Sequence, residues 1–176
     1  MYPLASGLRR PGYMLASVIV LATACGKGGG GSQLKVSWTG SDTTSISVTP
    51  TVAWCPVANR LEVRAITDDQ GFGLVLYPQG ELAPGEYPIF DPATDTIRRP
   101  GGTAAARRFT QREVLGFESD SGAIELTRAA GLLQLRFGVR MIRPSSRDTI
   151  RAEGEANGLR PSACPGDSVP NGSPKQ

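Results

Sequence analysis

The sequence predicts an all-β domain, either an antiparallel β-sandwich or a partly open barrel of about eight or nine strands, after a cleaved N-terminal signal helix. Apolar residues recur mainly at every second position, which is typical of strands with one buried face. Clusters of Gly, Pro, Asp and Ser separate the short apolar runs, as they do in sandwiches and barrels. With 176 residues, 39% hydrophobic and 20% charged, the chain has room for one domain with a core.

The segment 132–142 is the clearest predicted strand, because LLQLRFGVRMI alternates between an apolar and a polar face. At helical spacing the same apolar residues would be spread around the whole helix. Further strands are predicted at 34–38, 44–49, 60–67, 72–76, 87–90, 108–117, 124–126 and 149–156, and one helix could lie in 103–112. Turns are predicted at 68–71, 78–80, 83–85, 120–122 and 144–146.

The first residues have the form of a secretory signal. Arg9 and Arg10 give a positive start, and an uncharged, largely apolar stretch of 12 residues follows at 13–24. A membrane-spanning helix needs about 20 such residues, whereas the apolar region of a signal has about 7–15. We therefore expect export of the protein and removal of the segment.

Cys25 directly follows the small residues Ala22, Thr23 and Ala24 and precedes Gly26. This arrangement resembles the lipobox of bacterial lipoproteins. The resemblance implies that Cys25 is lipidated and becomes the mature N-terminus, and that Gly26 directs sorting to the outer membrane if the source is a diderm. An N-terminal core helix would not explain a charged start, an apolar stretch, small residues and a glycine run in that order.

We divide the chain into a signal peptide at 1–24, a lipid-anchored Gly-rich linker at 25–32, a β domain at 33–164 and a disordered tail at 165–176. In the linker, Lys27 precedes the glycines, whereas a phosphate-binding loop needs the lysine after them. Without residues 1–24 the chain has 17 basic and 16 acidic residues, so its charge does not indicate nucleic-acid binding.

Two cysteines remain if Cys25 carries lipid. In an exported protein, Cys55 and Cys164 are expected to form a disulfide. The alternative is two separate thiols, but Pro56 and Pro165 follow them and no cationic cluster adjoins either. We also expect Trp54 to pack in the core, against this disulfide.

Charge is divided between the two halves of the domain. Residues 33–97 carry eight acidic and three basic residues, and residues 98–160 carry twelve arginines and seven acidic residues. One interpretation is a surface for an anionic ligand, such as a lipid head group or an acidic glycan, in which arginines flank a Gly/Ala-rich loop. The other is that the two halves pack together and their charges offset. The arginines of this possible surface are Arg98, Arg99, Arg107 and Arg108.

Catalytic chemistry is poorly represented. The chain has no histidine, which excludes Ser-His-Asp triads, Cys-His dyads and HExxH zinc sites. Glu153 and Glu155 share a strand face about 7 Å apart, but such a pair is usually a solvated face. Asp91 and Asp95 are weak candidates for calcium and lack the usual loop spacing. No metal and no cofactor are predicted.

The sequence thus favours a membrane-anchored periplasmic or surface lipoprotein, acting as a non-catalytic binding or structural module of the cell envelope. Its expected partners are the membrane, through the N-terminal lipid, and an envelope protein, glycan or anionic lipid. The alternative is a small carboxylate- or metal-dependent hydrolase or lyase. That alternative would gain if Glu153 and Glu155, or Asp91 and Asp95, met another acid in a pocket. Aromatic residues could form a sugar platform, but we expect them in the core.

Overall fold

The computed structural model describes residues 31–164, and all regular structure within them is β. The predicted signal peptide, Cys25, most of the linker and the predicted tail lie outside the described residues. In residues 31–164 there is no helix long and apolar enough to cross a membrane. The strands are β1 Gln33–Gly40, β2 Thr44–Val48, β3 Thr51–Cys55, β4 Arg60–Ile66, β5 Gln70–Tyr77, β6 Gly85–Pro88, β7 Gly101–Phe109, β8 Val114–Ala129, β9 Leu132–Ile142, β10 Thr149–Leu159 and β11 Ser162–Ala163.

The strands form one curled sheet, which corresponds to the partly open barrel of the prediction. Its order is β11-β3-β4-β5-β7-β8-β9-β10-β1-β2, with β6 added beside β8, and only the β11–β3 pair is parallel. The curl follows from two short connections. Only two residues connect β2 to β3, and only two connect β10 to β11. In the strand order, however, β2 and β10 lie towards one end of the sheet, and β3 and β11 lie at the other end. Such connections span only about 11 Å, so the ends of the sheet must approach each other.

The inner face of the curl is a continuous apolar core, because the longer strands turn alternate residues inwards. Strand β9 follows the predicted pattern, with its odd-numbered residues buried. Aromatic rings lie at the centre: Phe72 is 5.3 Å from Phe137 and 6.2 Å from Trp38, between ring centroids. The charged and polar side chains are therefore left mainly on the outer face.

Three local predictions were wrong. The 103–112 segment is not a helix, because the alternation of Ala104 and Ala106 with exposed residues places it in β7 and the following turn. The predicted 108–117 strand is divided by a turn at 110–113 into the end of β7 and the start of β8. The 120–122 segment is no turn, since β8 passes through it with a bulge that absorbs the extra residue. Strand β3 was not predicted.

The sheet has two distinct ends. The end at which β1 begins, the proximal end, carries the loops 56–59, 78–84, 130–131 and 160–161. The opposite, distal end carries the turns 41–43, 67–69, 110–113 and 143–148. The hydrogen bond from Ser32 Oγ to Gly158 O, 2.8 Å long, fixes the chain where it enters β1. The described chain therefore enters β1 at the proximal end.

Candidate functional site

A groove of about 840 Å³ lies on the outer face, over β6, β8, β9 and β10. Its floor contains Gly138, where an added Cβ would meet no heavy atom within 4 Å. The groove exists because this outward position lacks a side chain while its neighbours carry long ones. We call it the outer groove and define it by Glu86, Glu125, Arg136, Gly138, Glu153 and Glu155.

A single row of charged side chains crosses the four strands along one side of the outer groove. The strand register places Glu86 opposite Glu125, Glu125 opposite Arg136, and Arg136 opposite Glu155. Because side chains directly opposite on neighbouring strands are about 5 Å apart at Cβ, the row is continuous. Lys35 of β1 extends it by one more position, opposite Glu155.

The other side of the outer groove is basic. A second depression of about 430 Å³ continues over Gly138 to Arg140 and Arg151. Arg151 Nε lies 2.7 Å from a carboxylate oxygen of Glu153, so one exposed ion pair joins the two sides. The groove defined above holds four carboxylates against one guanidinium, which makes it negative, and the basic side borders it.

Arg140 is held by Asp120 through two contacts, with Nε to Oδ1 at 2.9 Å and Nη2 to Oδ2 at 2.5 Å. Burial by itself raises the pKa of Asp120. The hydrogen bonds from Arg140 and Ser121 and the charge of Arg140 outweigh burial, so the pKa of Asp120 lies below its ordinary value. The same hydrogen bond raises the pKa of the Arg140 guanidinium. The pair fixes the position of Arg140 beside the groove.

The outer groove can bind an extended, polar ligand more readily than it can perform a reaction. Its carboxylates are mostly exposed to solvent, and its lining contains neither cysteine nor serine. Open, charged depressions differ from the enclosed, mostly apolar pockets in which small molecules are usually held. A peptide or another chain-like ligand, by contrast, could lie along the row and over the glycine floor.

The structure brings two of the residues considered from sequence into this site. Glu153 and Glu155 both line the outer groove, together with Glu86 and Glu125, which sequence reasoning missed. Nothing in the local sequence marks Glu86 or Glu125, because their meeting depends on the pairing of β6 with β8 and of β8 with β9. Gly138 lies on the polar face of the strand predicted at 132–142, and its position on the groove floor was not predicted.

The four arginines proposed as an anionic-ligand surface are divided between two places. Arg98 and Arg99 precede β7, and Arg107 and Arg108 lie near its end. At about 3.3 Å per residue, the six positions from Gly101 to Arg107 separate the two pairs by about 20 Å. The Gly/Ala-rich segment between them is a paired strand and not a loop.

Three of these arginines also have partners within the domain. Arg98 contacts Asp95 at 3.1 Å, and Arg108 forms an ion pair with the buried Asp42. Arg99 donates hydrogen bonds to the carbonyl oxygens of Ala58, Asn59 and Pro78. The Arg108–Asp42 pair joins the basic and acidic halves of the chain, as the interpretation of offsetting charges expects. Binding of an anionic ligand by the four residues stays a prediction.

Asp91 and Asp95 lie in a turn between β6 and β7 and do not line the outer groove. The backbone N–H of Ala93 donates to Asp91 Oδ1 at 2.8 Å, and that of Asp95 donates to Asp91 O at 2.9 Å. The carboxylate of Asp91 thus stabilises the turn in which it lies, as aspartate commonly does. Asp95 is paired with Arg98, so the two carboxylates have separate structural uses.

The predicted disulfide between Cys55 and Cys164 is confirmed. It ties the end of β3 to the chain just after β11, where the N–H of Cys164 also donates to Trp54 O at 3.1 Å. The expected packing of Trp54 against this bond is wrong, because consecutive residues of a strand point to opposite faces. Trp54 instead packs, partly buried, against the inner core, and Cys55 is buried on the outer side.

A buried carboxylate adjoins the disulfide. Glu62 is only 7% exposed and is held by Arg60, at 2.7 Å, and by Arg64 on the same strand face. Within residues 31–164, the sulfurs of Cys55 and Cys164 and a carboxylate oxygen of Glu62 form the one close group of metal-ligating atoms, all within 4.8 Å. The sulfurs are bonded to each other and two arginines neutralise the carboxylate, so this donor set does not suit a cation.

The other aromatic residues considered from sequence are mainly structural. Trp38, Tyr87 and Phe90 are buried. Tyr77 is half-buried, packs 5.7 Å from Phe90 and lies beneath the guanidinium of Arg99. Trp54 is partly buried against the same core. The expected core position is therefore confirmed for Trp38, Tyr87 and Phe90, whereas Trp54 and Tyr77 are only partly buried.

Comparison with known proteins adds no family to this description, since no family model, no curated protein and no solved structure matches the chain.

Proposed function

We propose that this protein is a lipid-anchored lipoprotein of the bacterial envelope whose β domain is a non-catalytic binding module. The outer groove is the proposed binding site, and a basic, extended segment of an envelope protein is the proposed ligand. The observation that carries the proposal is the row of Glu86, Glu125, Arg136 and Glu155 beside the open floor at Gly138. A chain-like ligand with spaced positive charges fits that row.

The proposed location is supported by the sequence and is compatible with the domain. The lipobox-like sequence at Cys25 is the reason for proposing the anchor. The Cys55–Cys164 bond suits an oxidising compartment outside the cytosol. Export, lipidation and the outer membrane as destination all belong to the proposal.

The anchor is tested by the intact mass of protein extracted from membranes, before and after reduction and alkylation. We expect loss of residues 1–24, an added diacylglycerol and acyl chain, and two alkylations that occur only after reduction. An unprocessed chain without lipid would reject the proposed location.

The binding site is tested with a fluorescein-labelled basic peptide, titrated onto the purified full domain by fluorescence anisotropy. Gly138→Leu should weaken binding at least about tenfold, because the new side chain fills the floor of the groove, and one bidentate charge contact is worth about that much. Gly116→Leu is the matched control: this glycine also has open space at Cβ but does not line the groove. Equal binding by both variants and the wild type would reject the site.

A second candidate function is a carboxylate-dependent hydrolase or lyase. The observation that favours it is the meeting of Glu153 and Glu155 with two further acids in one groove. Turnover of nitrophenyl glycosides that is abolished by Glu155→Gln and kept by Glu113→Gln, on a distal turn, would favour the enzyme over the binding module.

A further inference from the structure

We infer that the proximal end of the domain docks on the lipid head groups of the membrane that holds the N-terminal lipid, so that the distal end points away from it. This inference rests on the proposed anchor at Cys25 and adds an orientation and a contact surface to it. The proximal surface is defined by Val57, Glu81, Arg128 and Arg160.

The length of chain between the anchor and the domain limits the orientation. Cys25 and Gly31 are six positions apart, and a fully extended chain of six steps spans at most about 20–22 Å. Strand β1 runs from the chain entry towards the distal end over seven steps, or about 23 Å. In the opposite orientation, the distal turns would face the membrane. The linker would then have to run back along the whole length of β1, which would require it to be fully extended.

The proximal end presents an apolar side chain on a braced turn. Val57 is 84% exposed, the highest exposure among the large hydrophobic residues described. Its turn follows the disulfide-bonded Cys55, and Arg99 fixes it by binding the carbonyl oxygens of Ala58 and Asn59. An exposed apolar residue held rigidly at this end can enter the head-group region without reordering the loop.

The charges at the proximal end favour an anionic lipid surface. Arg128 and Arg160 are exposed there, against the exposed Glu81. The outer face of the sheet is acidic near the outer groove, because Glu125, Glu153 and Glu155 line that groove. If the domain lay with this face on the membrane, these carboxylates would be placed against lipid phosphates, so contact through the proximal end is preferred.

Depth-dependent fluorescence quenching tests the orientation. Lipidated full-length protein is reconstituted into phosphatidylglycerol-containing vesicles in which the acyl chains of the phosphatidylcholine are brominated. Val57→Trp places a probe at the proximal end, and Ser145→Trp places a matched probe on an exposed distal turn. We expect quenching of the first probe and none of the second beyond the background from Trp38 and Trp54.

Charge reversal tests the contribution of the arginines. In the Val57→Trp background, Arg128→Glu with Arg160→Glu should lower the ratio of docked to undocked protein, roughly fivefold for each arginine removed. Arg112→Glu with Arg147→Glu changes the distal end by the same charge and should leave quenching unchanged.

Two kinds of failure are distinguishable. A mass without lipid rejects the anchor and therefore the proposed function. Lipidated protein with equal quenching at both positions, or with quenching only at Ser145→Trp, rejects the orientation alone. Quenching only at Ser145→Trp would favour the exposed distal residues Ile66, Phe109 and Val114 as the membrane contact.

Discussion

The inner and outer faces of the sheet can be compared at two glycines on neighbouring strands. Gly138 lies on the outer face of β9, and Gly154 lies on the inner face of β10, opposite Phe137. A Cβ at Gly138 would enter open space. A Cβ at Gly154 would overlap the carbonyl oxygen of Lys35 and come within 2.6 Å of Phe137 Cζ. At Gly154 the inner face has no room for a methyl group, whereas at Gly138 the outer face has open space beside charged side chains.

This comparison shows how the domain can be both stable and open to a ligand. Close packing is confined to the inner face, where a single added methyl group must displace backbone or an aromatic ring. Away from this packing, discrete interactions also stabilise the domain, among them the Cys55–Cys164 bond, the buried carboxylate of Glu62 and the Asp120–Arg140 pair. Each of these can be removed separately, which makes the difference between the faces testable.

Removal of the disulfide should have the largest effect. The cysteines are 109 residues apart, and the loss of a link closing a loop of that size costs up to about 4.7 kcal/mol. We expect the Cys55→Ala, Cys164→Ala double variant to be less stable than the wild type by about 2–5 kcal/mol in urea unfolding. The wild type measured under reducing conditions is the control, and a change below about 1 kcal/mol in both would contradict the structural role of this bond.

Gly154→Ala should have the next largest effect, because the new methyl group overlaps backbone on the inner face. Overpacking of this kind costs about 1–3 kcal/mol, which urea unfolding can measure. The matched variant Gly138→Ala should lie within about 0.5 kcal/mol of the wild type, since its methyl group enters open space. Equal destabilisation by the two substitutions would remove the proposed difference between the faces.

Glu62→Gln should have an intermediate effect of about 1–2 kcal/mol, because it leaves Arg60 and Arg64 without their buried carboxylate. The two arginines are partly exposed, so solvent compensates for part of the loss. Glu153→Gln removes a carboxylate from an ion pair in which both side chains are exposed, and it should change stability by less than about 0.5 kcal/mol. If Glu62→Gln and Glu153→Gln had the same free energy of unfolding, burial of the Glu62 carboxylate would not contribute to stability.

The Asp120–Arg140 pair should have the smallest effect and a characteristic pH dependence. Because the pKa of Asp120 is lower in the folded than in the unfolded chain, its contribution is present above the unfolded value of about 3.9. That contribution is lost as the pH falls through the folded pKa. The stability difference between the wild type and Asp120→Asn should be constant above about pH 5 and shrink below it. A difference that grows towards acid would contradict the lowered pKa.

Local pattern was sufficient for most of the strands. Strand β9 alternates without exception, and its sequence admits only one face for burial. The prediction failed where local signals conflicted with pairing. Ala-rich β7 resembles a helix until its neighbours β5 and β8 are known, and residues 120–122 resemble a turn although a bulge carries β8 through them.

The candidate site was less predictable, for a physical reason. Glu153 and Glu155 could be recognised as residues sharing a face, because a period of two is a local property. Their meeting with Glu86 and Glu125 depends on which strands are neighbours, and strand order is set by the whole sheet. Cys55 and Cys164 could be paired in advance only because no other cysteine remained once Cys25 was assigned to lipid.

The sequence by itself determined the fold class, the buried face of β9 and the disulfide, since each depends on periodicity or on the number of available partners. It also gave the expectation of an exported lipoprotein, which residues outside the described domain carry. The tertiary structure decided the order of the strands, the outer groove and the separation of the four arginines into two pairs. These features depend on contacts between strands distant in sequence, and no local pattern encodes them because loop closure and packing of the entire sheet select the neighbours.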